Sequence, residues 1–245
     1  MDRLTVTLKI VTPMFLGGAD QSPSDGIRPP SVKGVLRFWW RALNWGRFKA
    51  KVVDDAVALK KMHDEEKLLF GSAAEEENGK QIGGQGCFLL NVKHGLLTPV
   101  QPDFPRFPGR KYLAGMGLDN RATIPANVEF EIMLRFRRGT DSLLIANIEE
   151  TLCMIGLFGG FGSRSRRGFG SVVRLIKHGE QLRLPTDIKI SAEIEWLKSK
   201  FTGIVGISPF SVLDINSLLY RGNDYNTADE AMETVGHQMN LYRTN

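Results

Sequence analysis

Cysteine is almost absent from this chain. Its 245 residues hold only Cys87 and Cys153, far apart and without a neighbouring His or Cys at metal-ligand spacing. That excludes a disulfide framework and a thiolate zinc site, and both thiols are expected in the core. Histidine is scarce as well, at four residues, and none stands beside a motif. The pattern places His63 in a charged helix, His94 in a hairpin turn, His178 beyond the last strand and His237 in a tail helix, so no general base is assigned. Carboxylates do not converge either: Asp54-Asp55 and Glu75-Glu76-Glu77 are adjacent charges in solvated stretches. No catalytic residue, metal site or cofactor is expected. Apolar runs fall far short of the roughly 18 residues that cross a bilayer, so no membrane span is expected. The first ten residues alternate like a strand and contain no apolar core followed by a small-residue cleavage site, which makes a cytoplasmic location the expectation.

What the chain does have is basic charge and glycine. The net charge is +5, with 26 glycines and 42% hydrophobic residues, and the mean hydropathy of −0.16 describes a folded domain with a sizeable core. The positive charge is clustered. Residues 160–170 read Gly-Phe-Gly-Ser-Arg-Ser-Arg-Arg-Gly-Phe-Gly, a glycine frame around three arginines. Glycine tolerates positive φ and close approach of the backbone to a ligand. Gly160, Gly162, Gly168 and Gly170 are therefore expected to present bare N–H groups, with Ser163, beside Arg164, Arg166 and Arg167, a composition suited to anionic oxygen. No Lys-Ser or Lys-Thr follows, and the loop precedes a strand, so this is not a nucleotide-binding P-loop. The alternative is a flexible turn whose arginines are simply solvated.

Leu4, Val6, Leu8 and Ile10 alternate with polar residues, the period of a half-buried strand. After a Gly/Pro/Ser-rich loop, Ser31 is placed to cap a helix over 31–45, with Val32, Val35, Leu36, Trp39 and Leu43 on the packed side and Lys33, Arg37 and Arg41 on a basic one. A charged helix over 53–70, a mobile acidic and glycine-rich connection over 73–86 and a strand over 87–92 follow. Residues 98–121 read as a long Pro-rich loop in which Arg106, Arg110, Lys111 and Arg121 serve either RNA or subunit contact. A strand over 128–136, a helix over 141–158 and a strand over 172–176 complete a βαββαβ order. That order is the ferredoxin-like split βαβ arrangement, an α+β fold with a four-stranded antiparallel sheet and two helices on one face. It fills residues 1–180. Residues 181–245 offer a helix over 192–201, a strand over 207–213 and a helix over 228–242, a partial second α+β region or an extension.

Lys33, Arg37 and Arg41 recur every four residues and can neutralise a row of phosphates, with Trp40 beside the stripe as a platform for a splayed base. Arg28 belongs near Gly17-Gly18 at the same helix N-terminus, where exposed amides favour an anion. A solvated basic face with Trp40 packed elsewhere is the competing reading.

The stretch Ile27-Arg28-Pro29-Pro30-Ser31-Val32-Lys33-Gly34-Val35-Leu36-Arg37-Phe38-Trp39-Trp40-Arg41-Ala42-Leu43 resembles the RAMP superfamily of CRISPR proteins, in particular the family of the first Cmr subunit of the type III-B RNA-guided complex. Thr12-Pro13 followed by Gly17-Gly18, then Leu69-Phe70-Gly71-Ser72, then the glycine frame, come in that family's order, so the resemblance spans 4–176. It implies a ferredoxin-like module that binds guide RNA or single-stranded target RNA among other Cmr subunits, while another subunit cuts. It also implies two ferredoxin-like halves, the second incomplete here. A metal-independent guide-RNA processing endoribonuclease of the same superfamily and a protein–protein scaffold subunit are the alternatives.

Overall fold

The computed structural model describes residues 2–18, 22–77, 80–118, 120–201, 203 and 208–244, with backbone only at 74–77 and 80–82. Strand alternation organises the core. In β1 (Arg3–Ile10), from Val6 onward, and throughout β5 (Glu129–Phe136) every second side chain is buried. Antiparallel pairing sets Leu8 opposite Phe130 and Val6 opposite Ile132, so the apolar set of both strands faces one side. With β4 (Phe88–His94) and β6 (Val172–Arg174) they form one sheet in the order β4-β5-β1-β6. Helices α1 (Pro29–Lys49), α2 (Asp55–Phe70) and α4 (Ser142–Phe158) cover that side, where Val32, Leu36, Trp40, Met62, Phe70, Ile148 and Ile155 share a core with Leu8, Ile10 and Ile132. This is the ferredoxin-like α+β fold that the order of elements predicts. The other side of the sheet carries Thr5, Thr7, Lys9, Glu129, Glu131 and Met133, and none of its described residues is aromatic.

Local chemistry sets the helix ends. Asp54 and Asp141 cap α2 and α4 by accepting from the amides of Ala56 and Leu143. In α1 the expected cap, Ser31, lies inside the helix. Arg28 occupies the N-cap with extended φ and ψ and makes no side-chain cap bond. Pro29 and Pro30 fill the first helical positions and have no N–H to satisfy, so a capping oxygen has less to do.

Other expectations are corrected by tertiary structure. The expected mobile connection forms a two-stranded hairpin, β2 (Gly71–Glu77) with β3 (Lys80–Gln85). The Pro-rich loop contains a helical turn, α3 (Pro108–Ala114), and His94 ends strand β4. The last strand splits into β6 and β7 (Ile176–His178), and β7 pairs with β8 (Gln181–Arg183), which puts His178 in a strand. Residues 208–213 form no strand, and Ile207 lies outside the described residues.

Downstream, α5 (Asp187–Lys198) packs on α4 through Leu197, Cys153 and Met154. Helix α6 (Ala228–Thr244) docks on α3, where Glu233 accepts from the amides of Gly109 and Arg110 and Asp229 pairs with Arg110 at 2.8 Å. A Cβ on Gly236 would stand 2.0 Å from the Gly109 carbonyl oxygen, so glycine permits this backbone contact.

Burial pushes the Cys153 thiol up to about 11, and burial likewise raises Cys87. At pH 8 about a thousandth of Cys153 is thiolate. Iodoacetamide should therefore leave Cys153 unmodified in the folded protein and label it in urea; rapid labelling of the native protein would contradict its burial. The raised value also favours the folded, protonated state, a contribution complete below pH 9.0 and lost as pH rises to about 11. Cys153→Ala should flatten the stability curve over that interval.

Candidate nucleic-acid interface

The glycine–arginine loop is held in place by backbone contacts. The amide of Ser163 donates to the Phe15 carbonyl at 2.9 Å, that of Phe161 to Gly170 at 2.9 Å and that of Gly170 to Pro13 at 2.8 Å. The Thr12 hydroxyl donates to the Gly168 carbonyl at 2.5 Å and accepts from the Ser171 amide at 2.9 Å. Two of these approaches require glycine. A Cβ on Gly162 would lie 2.1 Å from the Phe15 oxygen, and one on Gly170 would lie 2.1 Å from the Phe161 oxygen, with φ of +84° and +65° respectively.

The sequence reading of bare glycine amides is therefore corrected in part. Gly168 and Gly170 spend their N–H groups on Ser165 and Pro13, whereas among the described residues those of Gly160 and Gly162 have no acceptor. The arginines then divide. Arg164, at φ +62°, donates from Nε to the Ala114 carbonyl at 2.8 Å, and Arg167 donates to Leu113 at 3.3 Å. Both guanidiniums thus sit on the carbonyl end of α3, where positive charge is favourable. Arg166 is exposed and has no carboxylate or hydrogen-bond acceptor among the described residues; its guanidinium stands 5.2 Å over the Phe38 ring.

Phe38 belongs to α1, so the loop and the basic helix do meet. Ser31, Gly34, Val35, Phe38 and Trp39 from α1, Phe158 from the end of α4, Gly160, Ser165 and Arg166 from the loop, and Ser211 line one cleft of about 610 Å³. An adjoining hollow of about 270 Å³ shares Gly34, Phe38 and Ser211 and adds Arg37, Arg41 and Phe210. Together they make a groove along α1.

On the helix, the expected stripe is rearranged by a carboxylate from α2. Glu66, 3% exposed, accepts from Arg41 Nε at 3.0 Å and Nη2 at 2.6 Å. Arg37 Nε stands 3.1 Å from Glu66 Oε1 without hydrogen-bond alignment, and Arg37 Nη2 donates to the Gly71 carbonyl at 2.9 Å. Two cations share one anion, so part of the positive charge is retained, but both guanidiniums also serve the fold. Lys33 has no partner among the described residues. Burial, then the Arg37 charge, lowers its ammonium below the usual lysine range. Arg28 donates to the Gly17 carbonyl at 3.0 Å, which brings it to the Gly17-Gly18 turn as the sequence implies. Arg121 donates to Leu16 at 3.0 Å.

Trp40 is a correction. It is 0% exposed, packed against Phe48 and Phe70 with ring centroids 6.2 and 6.1 Å away, and offers no face to a base. Trp39, expected in the core, is half-buried at the cleft wall. Helix α1 packs on two sides, the sheet through Val32, Leu36 and Trp40, and the α4–α5 contact through Trp39 and Leu43. A single apolar stripe does not describe it. The cleft residues missed from sequence include Gly34, Phe38, Phe158, Ser165 and Ser211. Gly34 had a signal, since a mid-helix glycine costs about 1 kcal/mol.

These features define the class. The chain belongs to the RAMP superfamily, whose profile matches residues 7–173. Within it, the chain is similar to the CRISPR system Cmr subunit Cmr1-2 of Pyrococcus furiosus, 31% identical over 187 residues, with 67% of this chain and 91% of that protein covered. The crystal structure of Cmr1 from Pyrococcus furiosus in its apo form superposes with a TM-score of 0.61 at 17% identity, over 99% of this chain and 72% of that one. A chain of the Type III-B Cmr-beta complex bound to cognate target RNA and AMPPnP, in the presence of ssDNA, superposes at 0.50 and 15% identity, over 82% and 59%. At these identities the superpositions show a shared fold.

Three substitutions test the architecture. Glu66→Ala frees two arginines from a buried carboxylate and should lower unfolding free energy by on the order of 3 kcal/mol. Gly170→Ala meets the Phe161 carbonyl and should also destabilise, whereas Gly34→Ala, with no atom within 4 Å of the new Cβ, should stabilise by about 0.5–1 kcal/mol. Urea midpoints measure all three, and an unchanged midpoint for Gly170→Ala would contradict the clamped loop.

Proposed function

We propose that this chain is a non-catalytic RNA-binding subunit of a type III-B CRISPR (Cmr) antiviral effector complex, and that guide RNA or single-stranded target RNA lies in the groove between α1 and the glycine–arginine loop. The observation that carries the reading is the single cleft shared by Arg166 of the loop and Gly34 and Phe38 of the helix. Its lining includes no carboxylate. Lys33 and Arg166 are cations without acidic partners among the described residues, and the amides of Gly160 and Gly162 point to the same anionic chemistry. The similarity to a Cmr subunit supports other Cmr subunits as partners.

Arg166 supplies the phosphate contact in the cleft, Arg37 and Arg41 contribute in the adjoining hollow the charge that Glu66 leaves uncompensated, and Lys33, outside both linings, extends the positive charge along α1. Arg28, Arg164 and Arg167, already on backbone carbonyls, border the groove, and Ser163 and Gly168 hold the loop's shape. His63 on α2, His94 on β4, His178 on β7 and His237 on α6 occupy four separate elements, and none lines the cleft. That supports binding over acid–base cleavage. Among the described residues no helix is long and apolar enough to cross a membrane, and the RNA partners proposed place its work in the cytoplasm.

Single-stranded RNA affinity should fall steeply with salt. Arg166→Ala and Lys33→Ala should each weaken binding whatever the sequence, and each should reduce the slope of log K against log salt by about 0.7. Fluorescence anisotropy over a salt series reads both. Wild-type slopes in both variants would move the RNA elsewhere, and specific cleavage of repeat RNA in chelator would replace this reading with the endoribonuclease.

A further inference from the structure

Strand β1 is central in the sheet, yet part of one of its edges is bare. Its even-numbered residues turn their backbone groups to β5: the Ile10 amide donates to the Val128 carbonyl, and the Asp2 carbonyl accepts from Phe136. Its odd-numbered residues face β6, where the Leu175 amide donates to the Thr7 carbonyl at 2.9 Å and the Val11 amide to that of Ser171 at 2.8 Å. The register that sets Leu8 opposite Arg174 would bring Thr5 opposite Lys177, but β7 leaves the sheet to pair with β8. The amides and carbonyls of Arg3 and Thr5 are thus left at an open edge without a backbone partner among the described residues, a template for another strand.

This edge opens onto a hollow of about 720 Å³ on the far side of the molecule's chemistry from the α1 cleft, sharing no lining residue with it. Val6, Leu175, Ile176 and Leu182 give the hollow an apolar part, and its charged lining is Arg3, Arg174, Lys177 and Lys189 against Glu131. Glu193 of α5 takes up some of that charge through Arg174 and Lys189. Arg3 and Lys177 have no carboxylate among the described residues. No aromatic side chain lines the space, so a nucleobase has nothing to stack on, and phosphates would accept from the free amides while leaving the free carbonyls unmet. A polypeptide strand meets both. The geometry points to a docking site for an extended acidic segment of a partner protein, which adds to β1 alongside Arg3–Thr5. Its backbone takes up the free amides and carbonyls, its carboxylates meet the basic lining, and its apolar side chains cover Val6, Ile176 and Leu182. The site is independent of where RNA lies.

The test separates backbone pairing from charge. The full chain is titrated with a labelled peptide, blocked at both ends, that alternates glutamate and valine, and with the same peptide methylated on every backbone nitrogen, which keeps the charge and removes the donors. The unmethylated peptide should bind at least about tenfold more tightly, and the Thr5 amide should exchange with solvent at least about tenfold more slowly in the complex than in the free protein. Lys177→Glu, a change at an exposed side chain, should weaken the peptide about tenfold and leave oligouridylate affinity unchanged. Thr5→Pro, which removes an amide that the β1–β5 ladder does not use, should weaken the peptide as well. Equal affinity for the two peptides, or no slowing at Thr5, would overturn strand addition and leave a merely electrostatic contact. Absence of peptide binding at millimolar concentration would overturn the site. Oligouridylate affinity that falls in Lys177→Glu as far as peptide affinity does would overturn it too, by giving the hollow to RNA.

Discussion

Backbone meeting backbone at residues 12–16 and 160–171 is the constraint on which the rest depends. The segment leaving β1 and the loop leaving α4 are joined through Pro13, Phe15, Phe161, Ser163 and Gly170, at separations that Gly162 and Gly170 alone allow. Because β1 is central in the sheet and α4 packs on it, this tie fixes the loop relative to the core. The loop then cannot swing away from α1, and Arg166 is held over Phe38. Arg164 and Arg167 extend the bracing to α3, and α3 is held in turn by Glu233 of α6. The C-terminal helix thus bears on the loop through one intermediary.

Glu66 does for the helix what the glycines do for the loop. A single buried carboxylate holds Arg37 and Arg41 against α2, and it converts two mobile side chains into fixed charges. Holding them costs part of their electrostatic reach. Of the cations with least internal commitment, Arg166 lines the cleft and Lys33 stands outside its lining, elsewhere on α1. Rigid charge with a few free cations suits a polyanion threaded through a fixed groove, because little side-chain entropy remains to be lost on binding.

Most of the fold was legible because it follows local periodicity. The alternation of Val6, Leu8 and Ile10 and of Phe130, Ile132 and Leu134, with helices between, is sufficient for the ferredoxin-like order. The convergence of the glycine frame and the basic helix followed from the resemblance and the chemistry of those residues. Features set by distant partners were not legible. Trp39 and Trp40 exchanged roles because α1 packs on two neighbours, and the four-residue spacing of Val32, Leu36 and Trp40 competes with that of Val35, Trp39 and Leu43. Glu66 reads as one more charge on a solvated helix until α2 is laid beside α1. The hairpin of β2 and β3 and the α3 turn are likewise held by contacts that no local pattern announces.

Photo-crosslinking of single-stranded RNA containing 4-thiouridine, followed by peptide mapping, tests the placement of RNA most directly. Adducts are expected within residues 31–41 and 158–167, the two walls of the cleft. Adducts confined to the outer face of the sheet, at residues such as Thr5, Thr7 and Lys9, or to α5 and α6, with the cleft peptides unmodified, would contradict it.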